Sequence, residues 1–411
     1  MPKNKTITVI TGNYFPEDTA IGLYTRQFSI FLKENGYQVK VITGFPNYPQ
    51  WKIYDKYIDL PSNFTETIDG IEIIRYKQYV PEKVNLKGRI IMMVDLFYGT
   101  FSNMKKVKNT DLVICIVPFT ISIFPAIILS KLKKAKLWIH IQDFEFDLAI
   151  DTGVISKNTF FLKFLKLVIS TFERKLLNSA LVVSSISFSM LKKIERKSKH
   201  KNPYYFPNWV SSEKINPENS KQHPYINKDK FTLLYSGNIG EKQDWDLLIE
   251  LCCKINLNDN IEIVIVGEGG FKNELKEKLK LFSFVTFFNL VPYEELNDLL
   301  CSANAHFLFQ KIDVVDTIMP SKILGMMASK NPSIITGNVK SEVSAIINES
   351  GGGYYFDGVD VCQVYQTLLE LKNNPEICKK MGEKSRSNVL NKFSEKVVFN
   401  NFIEKINQIL E

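Results

Sequence analysis

Three observations predict an α/β protein of two domains, each a parallel sheet covered by helices on both faces. Short apolar runs alternate with helix-length amphipathic segments along most of the chain, as strands buried on both faces require. The alternation breaks once, over residues 201–230, where Pro203, Pro207, Pro217 and Pro224 stand among Asn and Lys residues, the composition of a linker followed by a loop. A length of 411 residues also exceeds what one hydrophobic core usually serves.

Residues 6–11 open the first series as a buried strand. A loop rich in Gly, Asn, Pro and Asp follows over 12–19, then a helical pattern over 20–35 stopped by Gly36, then a strand over 37–43. This is a β-α-β unit. Residues 71–76, 112–117, 137–141 and 181–184 continue as strands, giving a Rossmann-like first domain over 1–205. Within it, residues 112–129 are eighteen mostly apolar residues flanked by lysines, near the lower limit for a membrane-spanning helix. Pro118 and Pro125 interrupt them, and 111–117 is rich in β-branched residues, so a strand, a loop and a helix are expected instead. The second series has strands at 231–236, 261–266, 285–288, 305–309 and 333–336 between helical runs such as 246–255 and 271–281, a second Rossmann-like domain over 206–392. A turn-rich segment, 351–358, leads into helices that run to Glu411. In such sheets ligands bind beyond the carboxyl ends of the strands, so two facing domains would form a cleft lined by strand-end loops.

Charge is divided unevenly. Residues 1–210 hold 30 Lys and Arg against 17 Asp and Glu, a net of +13 in a chain of net +8, leaving −5 for the remainder. A cationic first half beside an anionic second half implies that the first half faces something anionic. Two of its segments, 86–108 and 160–177, interleave apolar stripes with Lys and Arg. Stripes of this kind serve either as core or as a membrane interface; with the charge asymmetry, docking on an anionic membrane surface is the expectation. No nucleic-acid recognition motif accompanies the basic residues. Six cysteines without CxxC spacing and four histidines indicate neither a zinc site nor a disulfide framework. With no basic-then-apolar leader before residue 6, a cytoplasmic, peripheral location is expected.

Four stretches could carry chemistry. In Asp316-Thr-Ile-Met-Pro-Ser-Lys-Ile-Leu-Gly-Met-Met327, Ser321 reads as the N-cap of a helix and Lys322 adds a positive charge at its start, which together suit a phosphate or diphosphate. An ordinary helix start with a surface lysine has the same local sequence. Tyr235-Ser-Gly-Asn-Ile-Gly-Glu-Lys-Gln243 follows the first strand of the second domain, where glycines bring backbone N–H groups to an anion and Lys242 supplies charge; a tight turn is the plainer alternative. Val266-Gly-Glu-Gly-Gly270 ends the next strand, and its glycines let a base or ribose approach backbone or merely form a turn. Trp138-Ile-His-Ile-Gln-Asp143 ends a strand of the first domain with His140 and Gln142 on one face and Asp143 in the loop beyond, ahead of Asp147.

Those stretches, with Tyr14-Phe-Pro-Glu17, Gly44-Phe-Pro-Asn-Tyr-Pro49 and Phe206-Pro-Asn-Trp-Val210, together resemble bacterial retaining GT-B glycosyltransferases of family four, of the colanic-acid and O-antigen type. The resemblance spans nearly the whole chain in order. It implies a retaining transferase moving a hexosyl or N-acetylhexosaminyl-type sugar, an N-acetylated deoxyhexosamine being one candidate, from a UDP-sugar. The acceptor would be polyprenyl-diphosphate-linked or a polysaccharide, in capsule, O-antigen or exopolysaccharide assembly. It implies that the second domain binds the donor, that the first meets the acceptor, and that residues 393–411 pack back on the first domain. No metal or other cofactor is implied. The expected donor contacts are Gly22, Gly237, Asn238, Glu241, Lys242, Gly267, Glu268, Val291, Pro320, Ser321 and Lys322; Asp316 would orient the sugar, with His140, Gln142 and Asp143 facing the reacting centre.

The chain departs from the family in having Gly237-Asn238 for Gly-Arg, Gln142-Asp143 for His-Asp, and Thr317 and Gly325 where two glutamates stand. Two other readings therefore accompany the first: a sugar-nucleotide epimerase of the same fold, and an inactive scaffold subunit of a polysaccharide assembly complex.

Overall fold

The computed structural model describes residues 5–17, 20–82, 86–118, 120–143, 170–313, 321–358 and 360–411. The chain divides into two compact units, Met1–Pro207 with Phe399–Glu411, and Asn208–Val398.

In the first unit the strands are β1 (Thr6–Ile10), β2 (Gln38–Gly44), β3 (Asn63–Ile68), β4 (Ile71–Tyr76), β5 (Leu112–Val117), β6 (Lys136–Ile141), β7 (Val182–Ser185) and β8 (Tyr204–Tyr205). They form one sheet in the order β3-β4-β2-β1-β5-β6-β7-β8, parallel except for β3, which runs antiparallel to β4. Every residue of β1 and β5 is buried, which is why these strands are legible as continuous apolar runs. Beyond β5 the chain turns into a helix at Ile123–Lys133 that ends on Lys134 in the left-handed region. The described residues of the apolar stretch 112–129 thus form a strand, a short 3-10 turn over Thr120–Ser122 and a helix, and no helix among the described residues is long and apolar enough to cross a membrane. The chain re-enters this unit at its C-terminal end: Phe402, on the helix Glu395–Leu410, stacks on Phe206 at 4.4 Å and meets Phe28 edge-on at 4.7 Å.

In the second unit β9 (Phe231–Ser236), β10 (Ile261–Val266), β11 (Val285–Phe288), β12 (Ala305–Phe309), β13 (Ser333–Gly337) and β14 (Gly353–Asp357) form an all-parallel sheet in the order β11-β10-β9-β12-β13-β14. Strand order reverses between β9 and β12, the topological switch point at which doubly wound sheets bind ligands. Segment 351–358 is not only turn: β14 lies within it, registered on β13 from Ser333↔Gly353 to Gly337↔Asp357. Glycine and aspartate at its ends conceal an edge strand.

Candidate functional site

At the switch point of the second sheet, β9 ends at Ser236 and the chain turns through Gly237, whose φ of +133° suits glycine alone. Gly237 N donates to Val266 O at 2.9 Å and Ile239 N to Glu268 O at 2.8 Å, which sews this turn to the one after β10. The fit leaves no room for side chains: a Cβ on Gly267 would sit 2.0 Å from Gly237 O, and one on Gly269 2.2 Å from Ile239 O. On the β12 side, Lys311 N donates to Lys242 O at 3.1 Å and Asp244 N to Phe309 O at 2.9 Å. The loop carrying Asn238, Glu241 and Lys242 is therefore fixed to both neighbours of β9, with Asn238 and Glu241 exposed and Lys242 partly so.

Lys322 reaches into this turn from the helix Lys322–Ala328. Its Nζ donates to Tyr235 Oη at 2.7 Å and lies 4.1 Å from the centre of that ring, while Tyr235 Oη donates to Asn238 O at 2.5 Å. A Cβ on Gly237 would be 3.0 Å from Nζ, so the glycine also keeps the space beside the ammonium clear. Lys322 is partly exposed as a residue, but its ammonium is enclosed, and desolvation lowers its pKa from 10.5 to about 7. Among the described residues no carboxylate pairs with it. An enclosed ammonium with no carboxylate partner among the described residues is the kind of perturbed group that functional sites collect.

Ser321 does precede the helix, but it has helical backbone angles and its side chain makes no capping hydrogen bond. The expected cap is therefore positional only. Gly325, one turn on, has Leu300 Cδ1 at 3.2 Å from where its Cβ would stand, so a side chain there would need Leu300 to give by only a few tenths of an ångström. Asp316, Thr317 and Pro320 lie outside the described residues.

Glu268 is half exposed and bonded to Lys272 Nζ at 2.6 Å; the same ammonium donates to Asn289 Oδ1 at 2.8 Å. Lys272 thereby ties the loop holding Gly267 and Glu268 to the one holding Val291, a link invisible from sequence spacing. Tyr235 and Lys272 are the residues that sequence reasoning passed over. Tyr235 had one legible signal, a tyrosine at the end of a strand just before a glycine turn.

In the first unit, His140 is 2% exposed and both ring nitrogens are engaged, Nδ1 with Ser184 Oγ and Nε2 with Gln142 Nε2, each at 2.9 Å. Gln142 can only donate through that nitrogen, so Nδ1 carries the proton and donates to Ser184, which also accepts Trp138 Nε1 at 2.7 Å. Burial lowers its pKa to about 3. The expectation that His140 faces a reacting centre meets a neutral imidazole with no nitrogen left to act; its effect is to hold Gln142, beyond which Asp143 follows at the strand's carboxyl end. Asp147 lies outside the described residues.

Gly22 stands on the helix Ala20–Glu34, where a Cβ would meet Glu17 O at 2.4 Å. Its bareness thus accommodates Glu17, which is 1% exposed and accepts the N–H groups of Asn47 and Tyr48 at 2.7 and 2.8 Å and Asn13 Nδ2 at 2.9 Å. Desolvation raises the Glu17 pKa against those bonds. Arg75, fully buried, pairs with Glu66 and donates to Phe15 O and Gly44 O. Together they join the loops after β1 and β2 into one rigid shelf. Among the described residues no group of His, Cys, Asp and Glu could hold a metal ion.

Residues 216–388 match the family model described as "Glycosyl transferases group 1". WcaI of Escherichia coli (strain K12), whose name assigns it to colanic acid biosynthesis as a glycosyl transferase, is 29% identical over 412 residues, covering 94% of this chain and 98% of its own length. Among solved structures, sucrose-phosphate synthase from Thermosynechococcus elongatus superposes with a TM-score of 0.74 at 13% identity, over 98% of this chain and 99% of that one. HepE of Anabaena, solved with UDP and glucose, gives 0.70 at 9% identity, over 98% and 100%. At those identities the likeness concerns the fold, and the fold is GT-B.

Proposed function

We propose that this chain, a GT-B protein carrying a group 1 glycosyltransferase domain, transfers a hexosyl or N-acetylhexosaminyl-type sugar from a UDP-sugar to a polyprenyl-diphosphate-linked or polysaccharide acceptor, with retention of configuration. The observation that carries this reading is Lys322: an enclosed ammonium beside a glycine turn at the switch point, with no anionic partner among the described residues. The likeness to WcaI supports polysaccharide assembly over an epimerase or an inactive scaffold, and the UDP bound by HepE supports the choice of nucleotide.

In this mechanism a diphosphate entering the turn restores the Lys322 charge, and negative charge then grows on the leaving phosphate as the glycosidic bond breaks. Lys322 and Lys242 meet that charge from a turn whose Gly237, Ile239 and Gly240 N–H groups are already spent on Val266 O, Glu268 O and Gln243 Oε1, an electrostatic role able to dominate catalysis. No metal is required in this scheme. Glu268 and the glycines beside it are assigned to the nucleoside, Asp316 to the sugar hydroxyls, and Gln142, held by His140, together with Asp143 to the acceptor side.

Docking on the cytoplasmic face of an anionic membrane belongs to the same proposal. On the helix Leu86–Asn103, Ile90, Ile91, Val94, Tyr98 and Phe101 are exposed, Tyr98 at 62%, while Met92 and Leu96 are buried. The second expected docking segment, 160–177, falls outside the described residues up to 169; within its remainder Phe172 stacks on Phe124 at 5.6 Å, next to exposed Arg174 and Lys175.

The test is a calorimetric screen of UDP-sugars, followed by transfer assays on a polyprenyl-diphosphate sugar. Lys322→Met is expected to weaken UDP binding by about 100-fold, the loss of one charge-assisted contact to a diphosphate. Unchanged binding would remove Lys322 from the site.

A further inference from the structure

The helix that presents Lys322 has seven residues, too few to hold a position by its own hydrogen bonds. Its placement is decided by what grips it, and the grip is at the end away from Lys322. Ser329 Oγ donates to Met326 O at 2.7 Å and accepts from His306 Nε2 at 2.8 Å, both side chains being buried. Lys330 then turns through a left-handed φ of +65°, and its carbonyl lies where a Cβ on Gly382 would come to 1.8 Å. Gly382 belongs to the helix Pro375–Phe393, and one turn along that helix Arg386 Nη1 donates both to Ala328 O, the last carbonyl of the short helix, and to Ile215 O at 2.8 Å. Buried Ile323, Leu324, Met326 and Met327 fill the length between the two ends, so a shift at Ala328 is transmitted to Lys322.

We propose that Arg386 is a positioning residue for the anion site: by holding Ala328 from behind, it sets how far Lys322 reaches over the Gly237 turn. The inference rests on reading Lys322 as a diphosphate contact. Arg386 touches no substrate in this account and acts only through the helix. Without it the helix recedes, water reaches the Lys322 ammonium, and both the contact and the desolvation around it are lost.

The experiment titrates the full chain with UDP, GDP and ADP by calorimetry between about pH 6 and pH 9, alongside thermal melts. In the wild type, affinity should begin to fall near pH 7, where the free lysine loses its proton. Arg386→Met should weaken binding about tenfold at the acid end and move the break upward by about one pH unit, since a hydrated lysine keeps its proton longer. Arg386→Lys, which retains charge but not the two-carbonyl reach, should show a smaller shift of the same sign. A lowered melting temperature with unaltered affinity and break would mean that Arg386 only supports the fold, and the inference falls. Should Arg386→Met not fold, Ser329→Ala loosens the same end and must move the break the same way; an unmoved break overturns the proposal equally. Absence of binding by all three diphosphates in the wild type would instead remove the Lys322 reading, and this inference with it, a result visible before any variant is made.

Discussion

Lys322 and Glu17 are both desolvated ionisable groups, but they act with opposite purpose. The unfolded chain holds the Lys322 proton up to its ordinary pKa of 10.5, the folded chain only to about 7. Between those values the unfolded state binds more protons, so this group makes the free protein more stable as pH rises. Diphosphate affinity should move the other way in the same window, falling as pH rises above about 7, because binding must return the proton. Melts and calorimetry in one buffer series check both signs, and parallel trends would contradict the assignment. Glu17 has its acceptor capacity already used by two backbone N–H groups and Asn13. Glu17→Ala should therefore cost about 1–3 kcal/mol for each buried N–H left unpaired, read as a reduced urea midpoint, while UDP binding to the second unit stays as it was.

Among the elements, two helices differ in what covers them. The helix Lys322–Ala328 buries five of its seven residues and takes its position from Ser329, His306 and Arg386. The helix Leu86–Asn103 leaves Ile90, Ile91, Val94, Tyr98 and Phe101 exposed along one face. A charge on that face removes apolar area from a membrane interface without disturbing buried packing. Tyr98→Glu combined with Phe101→Glu should accordingly lower co-sedimentation with phosphatidylglycerol vesicles several-fold and leave the melting temperature nearly unchanged; undiminished sedimentation would dissociate this face from docking. Strands tell a related story. The central strands are buried on both faces and read as apolar runs, whereas β3, β8 and β14 went unrecognised. β3 alternates exposed and half-buried residues, β8 has two residues, and β14 lies at a sheet edge; edge strands need neither length nor apolar continuity.

In the whole molecule, the first unit is completed by the last residues of the chain. Phe402 is 1% exposed and packs on Phe206, Phe28 and Trp138, while Tyr37 Oη donates to Asn407 Oδ1 at 2.7 Å. Phe402→Ala should destabilise the protein by about 3–5 kcal/mol, as expected for a large aromatic removed from a packed core, measurable by chemical denaturation. A change below about 1 kcal/mol would mean that the last helix is peripheral to that core.

The sequence alone determined the two parallel sheets and the glycine turns at their carboxyl ends, because both depend on local rules: apolar runs for buried strands, and glycine where φ is positive or backbones touch. It also placed Lys322 beside a helix start. Tertiary structure decided what these groups do. Lys322 is enclosed because Tyr235, 87 positions earlier, stands under it; His140 is held as a neutral imidazole because Gln142 donates to its Nε2 while Ser184, 44 positions later, accepts from its Nδ1; Gly22 is bare to admit Glu17. Desolvation and hydrogen-bond satisfaction depend on every neighbour in space, and those neighbours come from strands and helices far apart in the chain.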